Sequence, residues 1–274
     1  MMKHNAVAVV VAALTLPVVA KADGAPWLPV PGSTQLSIGY IDQTGDELKA
    51  GTEKMMLPTE IKQETYSISL QHGVNDSFAV DAKLNYASSS FGASDDSGRG
   101  DSVIGLNWLL IDEFERAGAP TVTLRTAAII AGDYDTGKID ALGDGANGIE
   151  LSLRAGKFLT PKLMVAGELG YRNRSDSVPD DLFVDVNVGY SVASFATLSA
   201  GYSATRSRGD LDIGDAGFSP DRFPEVREDR DLAKVGAAFA VAPHTALNVN
   251  YGEVVSGRNT TLASVWGVSV TRSF

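Results

Sequence analysis

Three groups of residues in this chain carry side chains capable of chemistry, and their spacing limits what that chemistry is. Two aspartate-rich stretches, Asp133, Asp135 and Asp140 around Gly137 and Asp210, Asp212 and Asp215 around Gly214, show the spacing by which hard oxygen ligands converge on a calcium ion. Neither has the glycine at the sixth position and the bidentate glutamate at the twelfth that complete such a loop. They read as solvated turn aspartates, and no metal is assigned. His72 and His244 are the histidines left once the first 22 residues are set aside, with Ser67, Ser69 and Ser77 near His72; a GxSxG nucleophile elbow is absent. No catalytic residue and no cofactor is expected. The third group is the most informative: Asp81, Lys83, Arg125, Glu150, Arg154, Glu168, Arg172, Asp185 and Lys234 each sit in the middle of a segment that alternates apolar and polar residues.

The alternation identifies the elements that must hold these charges. Leu182, Val184, Val186, Val188 and Tyr190 share one parity, against Asp185, Asn187, Gly189 and Ser191 on the other; Phe78, Val80, Ala82, Leu84 and Tyr86 oppose Asp81, Lys83 and Asn85; Ile149, Leu151, Leu153 and Ala155 oppose Glu150, Ser152 and Arg154. Period two is a strand with one greasy and one polar face. A soluble sandwich would turn the charged face outward, whereas a water-filled membrane barrel turns it inward.

Connection lengths favour the barrel. Twelve strands are predicted, near 34–42, 61–72, 77–88, 102–112, 121–132, 148–158, 162–172, 181–192, 196–206, 231–241, 245–254 and 260–274. Joints after the even strands are short, and those after the odd strands (43–60, 89–101, 133–147, 173–180 and 207–230) are long, polar and acidic, with 255–259 the exception. Long-short alternation is the loop grammar of an outer-membrane β-barrel, with tight periplasmic turns and extended extracellular loops, and an even strand count leaves both ends periplasmic. His72 and His244 then fall at periplasmic turns, away from the outer rim where a barrel lipase or acyltransferase would work.

Composition agrees. The chain has 274 residues, 44% hydrophobic and 21% charged, with no cysteine and a net charge of −11, which excludes a disordered chain, a disulfide-stapled mini-domain and a nucleic-acid binder. After residue 22 the longest apolar run, Val235 to Ala242, is eight residues, far too short for a membrane-spanning helix. Lys3 and His4, the apolar stretch Ala6 to Ala20 and the small residues of Ala20-Lys21-Ala22 read as a signal peptide over 1–22, cleaved before Asp23. The expected organisation is therefore a cleaved export signal, a periplasmic segment over 23–33 and one barrel domain over 34–274 in a Gram-negative outer membrane.

Aromatic residues mark the expected membrane boundaries. Tyr40, Tyr66, Tyr86, Tyr171 and Tyr251 fall at the extracellular ends of their strands, and Phe78, Tyr190 and Phe274 near the other rim, where amphipathic rings suit the lipid headgroups. Trp266, Val268, Val270 and Phe274 alternate to a terminal phenylalanine, which resembles the signal by which barrel-assembly machinery recognises outer-membrane proteins; Arg272 departs from that pattern. The mixed-charge stretch Asp221-Arg222 through Asp231 reads as a solvated loop able to fold inward or to meet lipopolysaccharide phosphates through its arginines.

One family carries several of these segments in this order. Gly132-Asp133-Tyr134-Asp135-Thr136-Gly137, Leu142-Gly143-Asp144-Gly145, Ile149 to Lys157, Glu168-Leu169-Gly170-Tyr171-Arg172 and the opening Ala25-Pro26-Trp27-Leu28-Pro29-Val30-Pro31-Gly32 resemble the outer-membrane family labelled after the meta-cleavage pathway of phenol degradation, over most of residues 25–206. The resemblance implies an outer-membrane transporter of hydrophobic or aromatic small molecules and supplies no catalytic residues. The residues themselves leave two functions open, a passive conduit and a sealed structural or surface-interaction barrel working through its acidic loops.

Charge register is expected to follow from the Thr160-Pro161 turn. Glu150 and Arg154, like Glu168 and Arg172, are four residues apart in one strand, about 13 Å and too far to pair. Pairing about that turn sets Arg154 against Glu168 and Glu150 against Arg172 on the inner wall.

Overall fold

The computed structural model describes residues 24–274, so the expected signal peptide lies outside the described residues. Thirteen strands form one antiparallel sheet: β1 Thr34–Ala50, β2 Glu53–Gly73, β3 Phe78–Phe91, β4 Ser94–Arg99, β5 Ser102–Ile111, β6 Thr121–Ile130, β7 Gly148–Thr160, β8 Leu163–Arg174, β9 Asp181–Ala193, β10 Ala196–Ser207, β11 Asp229–Ala242, β12 Thr245–Arg258 and β13 Thr261–Ser273. Apart from β5, which pairs with β3 in place of β4, each strand pairs with its sequence neighbours. β1 also pairs with β13, with Leu36 opposite Arg272 and Tyr40 opposite Val268, and this closes the barrel. Backbone bonds between Thr34 and Phe274 finish the seam. Twelve strands make the wall; β4 is an added short strand, paired to the upper part of β3 (Tyr86–Phe91), while the lower part of β3 (Phe78–Lys83) pairs with β5. Closure matters because no open sheet edge survives in lipid.

The barrel is inverted relative to a soluble protein. Ile149 is 63% exposed, Leu151 53% and Val235 56%, all on the outer face, whereas Asn107, Thr121, Thr123 and Ser152 are fully buried inside. An outer surface this apolar over all twelve wall strands is stable only against lipid, which removes the soluble-sandwich alternative.

Two expected loops are mostly strand. The 43–60 stretch is an extended hairpin, β1 and β2 pairing up to Ala50 opposite Glu53 around a Gly51-Thr52 turn; much of 89–101 is the top of β3 and β4. Above the membrane both faces of a hairpin are wet, so the apolar-polar contrast that reveals strands in lipid vanishes although the hydrogen-bond ladder continues.

The segment before β1 departs from the expected periplasmic location. Gly24 and Ala25 line the central cavity, Pro26 is fully buried, and its carbonyl accepts a hydrogen bond at 2.7 Å from Thr123, an inward residue of β6. The chain leaves the lumen toward the rim where Pro31 bridges Gly73 and Gly32 N–H donates to the Gly73 carbonyl.

Candidate functional site: a charged ladder beside a luminal cavity

Inward side chains across six consecutive wall strands, β3 and β5–β9, form a continuous ladder of opposite charges. Arg125 on β6 grips Asp81 on β3 with two nitrogens, Nε at 3.1 Å and Nη2 at 2.8 Å, and Glu150 on β7 with Nη1 at 2.5 Å. The other Glu150 oxygen accepts from Arg172 on β8 at 3.0 Å, and Arg172 reaches Asp181 on β9 at 3.3 Å. One rung nearer the periplasm, Arg154 Nε lies 3.0 Å from Glu168 Oε1 as an ion pair, and Arg154 Nη1 donates to Asn107 at 3.1 Å. Ser152 donates to the same Glu168 oxygen at 2.5 Å. The β7–β8 register sets Glu150 opposite Arg172 and Arg154 opposite Glu168.

Local sequence explains how the ladder closes. Arg125 and Asp81 are separated by β5, and the intervening inward position is Gly105: a Cβ there would stand 2.7 Å from Asp81 Oδ1 and 3.0 Å from Arg125 Nε. Absence of a side chain lets the guanidinium cross a whole strand. Asn107, also on β5, donates to Asp81 at 2.6 Å and so joins the two rungs. Paired, hydrogen-bonded charges are the form in which ions tolerate a low-dielectric wall.

Asp185 and Lys234 form a second set on the adjoining wall, 2.6 Å apart, with Ser203 and Asn187 donating to the same carboxylate. Lys83 stands apart from both sets. It lines the cavity and forms no ion pair with another described residue.

Between the ladder and the wall of β1, β2 and β10–β13 lies a cavity of about 610 Å³. Its uncharged side is small and polar, including Ser37, Ser67, Ser69 and Asn250, with the inward apolar residues Ile41, Val103, Leu232 and Val265. That volume falls in the range of small-molecule sites.

Both mouths carry ordered chain. At the periplasmic end Trp27 Nε1 donates to Glu113 Oε1 at 2.9 Å, Phe158 N–H donates to Glu113 Oε2 at 3.0 Å, and the Trp27 and Phe158 rings are 4.9 Å apart. A Cβ on Gly156 would come within 2.9 Å of Pro26 and 3.0 Å of Trp27, so this glycine makes room for the segment. At the other end the 207–230 loop is stitched to the β12–β13 turn: Arg258 Nε donates to Asp212 at 2.7 Å, Asn259 donates to Asp212 at 2.7 Å and to the Arg227 carbonyl at 2.8 Å, and Thr260 donates to Glu228 at 2.7 Å. The same loop meets Gly137 of the 131–147 loop, where an added Cβ would be 3.1 Å from Asp221 Cα, and so reaches over much of the rim. Tyr134 donates to Asp101 at 2.6 Å and holds the 131–147 loop down. Burial pushes the Asp144 carboxyl up to about 7, Glu228 adding to the rise and Arg174 opposing it.

The aspartates first read against calcium have separate partners. Asp212 is held by Arg258 and Asn259, Asp135 pairs with Lys138 at 3.2 Å, and the Asp140 carbonyl accepts from Ser89. Among the described residues no group of three or more metal-binding side chains converges. His72 lies at the periplasmic rim, its Nδ1 2.9 Å from Thr34 Oγ1, and His244 occupies the β11–β12 turn.

The tyrosines expected at the extracellular boundary face outward. Tyr40 and Tyr66 are 5.1 Å apart and Tyr251 lies 4.6 Å from Trp266; Tyr86 is exposed, and Tyr171 carries Arg208 over its ring at 5.4 Å. Trp266, Val268, Val270 and Phe274 are also exposed on the outer face of β13 and at its end. Sequence reasoning missed Gly105, Asn107, Trp27 and Glu113. Only Trp27 gave a signal, as a lone tryptophan among prolines ahead of the first strand.

Comparison with solved structures shows the same architecture. An outer-membrane channel from Pseudomonas putida F1 superposes with a TM-score of 0.75 at 18% identity, covering 92% of this chain and 99% of that one. The translocator domain of the autotransporter NalP from Neisseria meningitidis gives 0.55 at 14% identity with 90% of each chain covered, and the KdgM porin gives 0.51 at 12% identity with 87% and 99% covered. These likenesses show the fold, that of an outer-membrane β-barrel. No curated protein matches the chain significantly. A family model described as "Putative MetA-pathway of phenol degradation" matches residues 56–269, and the chain belongs to that family.

Proposed function

We propose that the protein is a passive, porin-like outer-membrane channel for small hydrophobic or aromatic molecules, with no catalytic role. The observation that carries this reading is the cavity of about 610 Å³ inside a closed barrel, lined on one side by apolar and uncharged polar residues, in a chain of this family. Asp81, Lys83, Arg125, Glu150, Arg154, Glu168, Arg172, Asp185 and Lys234 then act as pore-lining residues: the paired ones stiffen one wall and leave the other for solute. Tyr40, Tyr66, Tyr86, Tyr171 and Tyr251 act as the headgroup girdle against lipid and lipopolysaccharide, and Trp266, Val268, Val270 and Phe274 as the assembly signal. Export follows cleavage before Asp23, which N-terminal sequencing of the membrane-extracted protein checks. Planar-bilayer conductance together with phenol entry into proteoliposomes tests the channel; absence of both overturns it.

A non-conducting structural or surface-interaction barrel is the second reading. It is favoured by chain at both mouths, the 24–33 segment below and the stapled 207–230 loop above. Cell or lipopolysaccharide binding that is lost when the 207–230 loop is shortened, in a barrel that passes neither ions nor phenol, would establish it.

A further inference from the structure

We propose that Lys83, with the serine hydroxyls beside it, forms a subsite for the carboxylate of a small apolar acid. Four basic side chains line the central cavity. Arg125, Arg154 and Lys234 each have a carboxylate within 3.0 Å, and Lys83 pairs with no described residue. The nearest carboxylate on its own strand face is Asp81, two residues away, and both Asp81 oxygens are occupied: Oδ1 accepts from Arg125 and Asn107, and Oδ2 from Arg125. An ammonium facing a cavity inside a protein wall, without a fixed counter-ion, attracts an anion more strongly than the same group at an open surface.

The neighbours of Lys83 supply the rest of the recognition. Ser69 lies opposite Lys83 in the β2–β3 register, and Ser37 lies opposite Ser69 in the β1–β2 register. The hydroxyls of Ser67 and Ser69 bond to no other described residue, so both are available as donors, whereas Ser37 is engaged with Thr271 at 2.9 Å. One ammonium and two hydroxyl donors match the lone pairs of a carboxylate. Val103 lies opposite Lys83 on β5, and Ile41, Leu232 and Val265 line the same cavity, which gives an apolar wall for the body of the acid. A neutral hydrocarbon would use that wall and gain nothing from Lys83. The subsite therefore selects anionic over neutral solutes within one cavity. It serves passage only if the barrel conducts, and to that extent rests on the channel reading.

Benzoate is the probe, titrated by calorimetry into the purified full-length barrel in detergent. Binding is expected in the wild type, at least tenfold weaker in Lys83→Gln and within a few-fold of wild type in Lys83→Arg. Lys162→Gln, on the β7–β8 turn, should match the wild type. Ser69→Asp gives an independent route, since a carboxylate opposite Lys83 should pair with it and displace benzoate; it also serves if Lys83→Gln does not fold by the gel-shift test of heat-modifiable barrels. Equal benzoate affinity in wild type and Lys83→Gln, equal affinity in Ser69→Asp, or no binding to the wild type overturns the proposal. Conductance and phenol entry measured on the same preparation keep the two readings apart. Benzoate binding without conductance removes the channel and leaves the subsite, and conductance without benzoate binding does the reverse.

Discussion

Arg154 and Glu168 stand opposite each other across the β7–β8 ladder, Nε to Oε1 at 3.0 Å, with 14% and 8% of their side-chain surfaces exposed. A pair this enclosed is costly to break from one side, because the remaining ion loses its counter-charge in a wall that cannot hydrate it. Arg154→Met is expected to destabilise the barrel by about 3–5 kcal/mol in urea unfolding from lipid vesicles. The double change Arg154→Met with Glu168→Met should recover most of that loss. Equal destabilisation by the single and double variants would show that the arginine acts through packing alone.

The pair is also a measure of how far sequence leads. Its register was readable because the tight Thr160-Pro161 turn leaves one antiparallel alignment in which four charges meet opposite signs. The Arg125–Asp81 grip was not, since it skips a strand and depends on Gly105 having no Cβ. Strand count and closure were legible wherever lipid imposes period two, and failed for β4 and the upper β1–β2 hairpin, where water bathes both faces. The inward path of residues 24–27 left no periodic trace: it depends on single contacts such as Thr123 to Pro26 and on the space above Gly156.

Face assignment is testable by moving one charge across the wall. Val186 points to lipid and is 45% exposed, while Ser199 lines the cavity. Val186→Arg should cost about 2–4 kcal/mol of folding stability in a bilayer if it lies near the midplane, because the guanidinium must be dehydrated or drag water inward. Ser199→Arg should be much milder. A bilayer-refolding titration that ranks the two equally would contradict the outward placement of Val186.

Asp144 predicts a pH response confined to the extracellular loops. Its carboxyl is raised to about 7, so the folded loop holds a proton that the unfolded chain releases near pH 4. For an acid raised in the folded state, the favourable contribution is fully present below the unfolded value and is lost as pH climbs from there to the folded value; the 131–147 loop should therefore loosen between about pH 4 and pH 7 and change little above that. The Asp144 side chain retains 46% exposure, so the effect belongs to the loop and not to the barrel as a whole. Amide exchange of residues 131–147 should accelerate across that window beyond the intrinsic pH trend. Asp144→Asn should flatten the response, and an unchanged profile in that variant would assign it elsewhere, Glu228 being another carboxyl raised by burial at this mouth.

Glu113 ties the luminal segment to the wall, one oxygen accepting from Trp27 Nε1 and the other from the N–H of Phe158 on β7. Trp27 adds ring contact with Phe158, which in turn meets Phe114 at 6.1 Å. This fastening belongs to a segment that narrows the lumen, and the wall strands close through their own ladder without it. Loosening it should change passage more than stability. Glu113→Gln keeps the acceptor to Trp27 and should leave conductance near wild type, whereas Glu113→Ala removes both of its bonds but leaves the ring contact, and Trp27→Ala removes the segment's own hydrogen bond together with the ring contact. Conductance in planar bilayers is expected to rise in the order wild type, Glu113→Ala, Trp27→Ala, with heat-modifiable gel mobility retained. A single hydrogen bond to a charged acceptor contributes about 1.5–3 kcal/mol, so the loosened state should become about ten- to a hundredfold more populated in Glu113→Ala. Identical open-state currents in all three proteins would mean that residues 24–27 leave the lumen, or stay in it, regardless of this anchor.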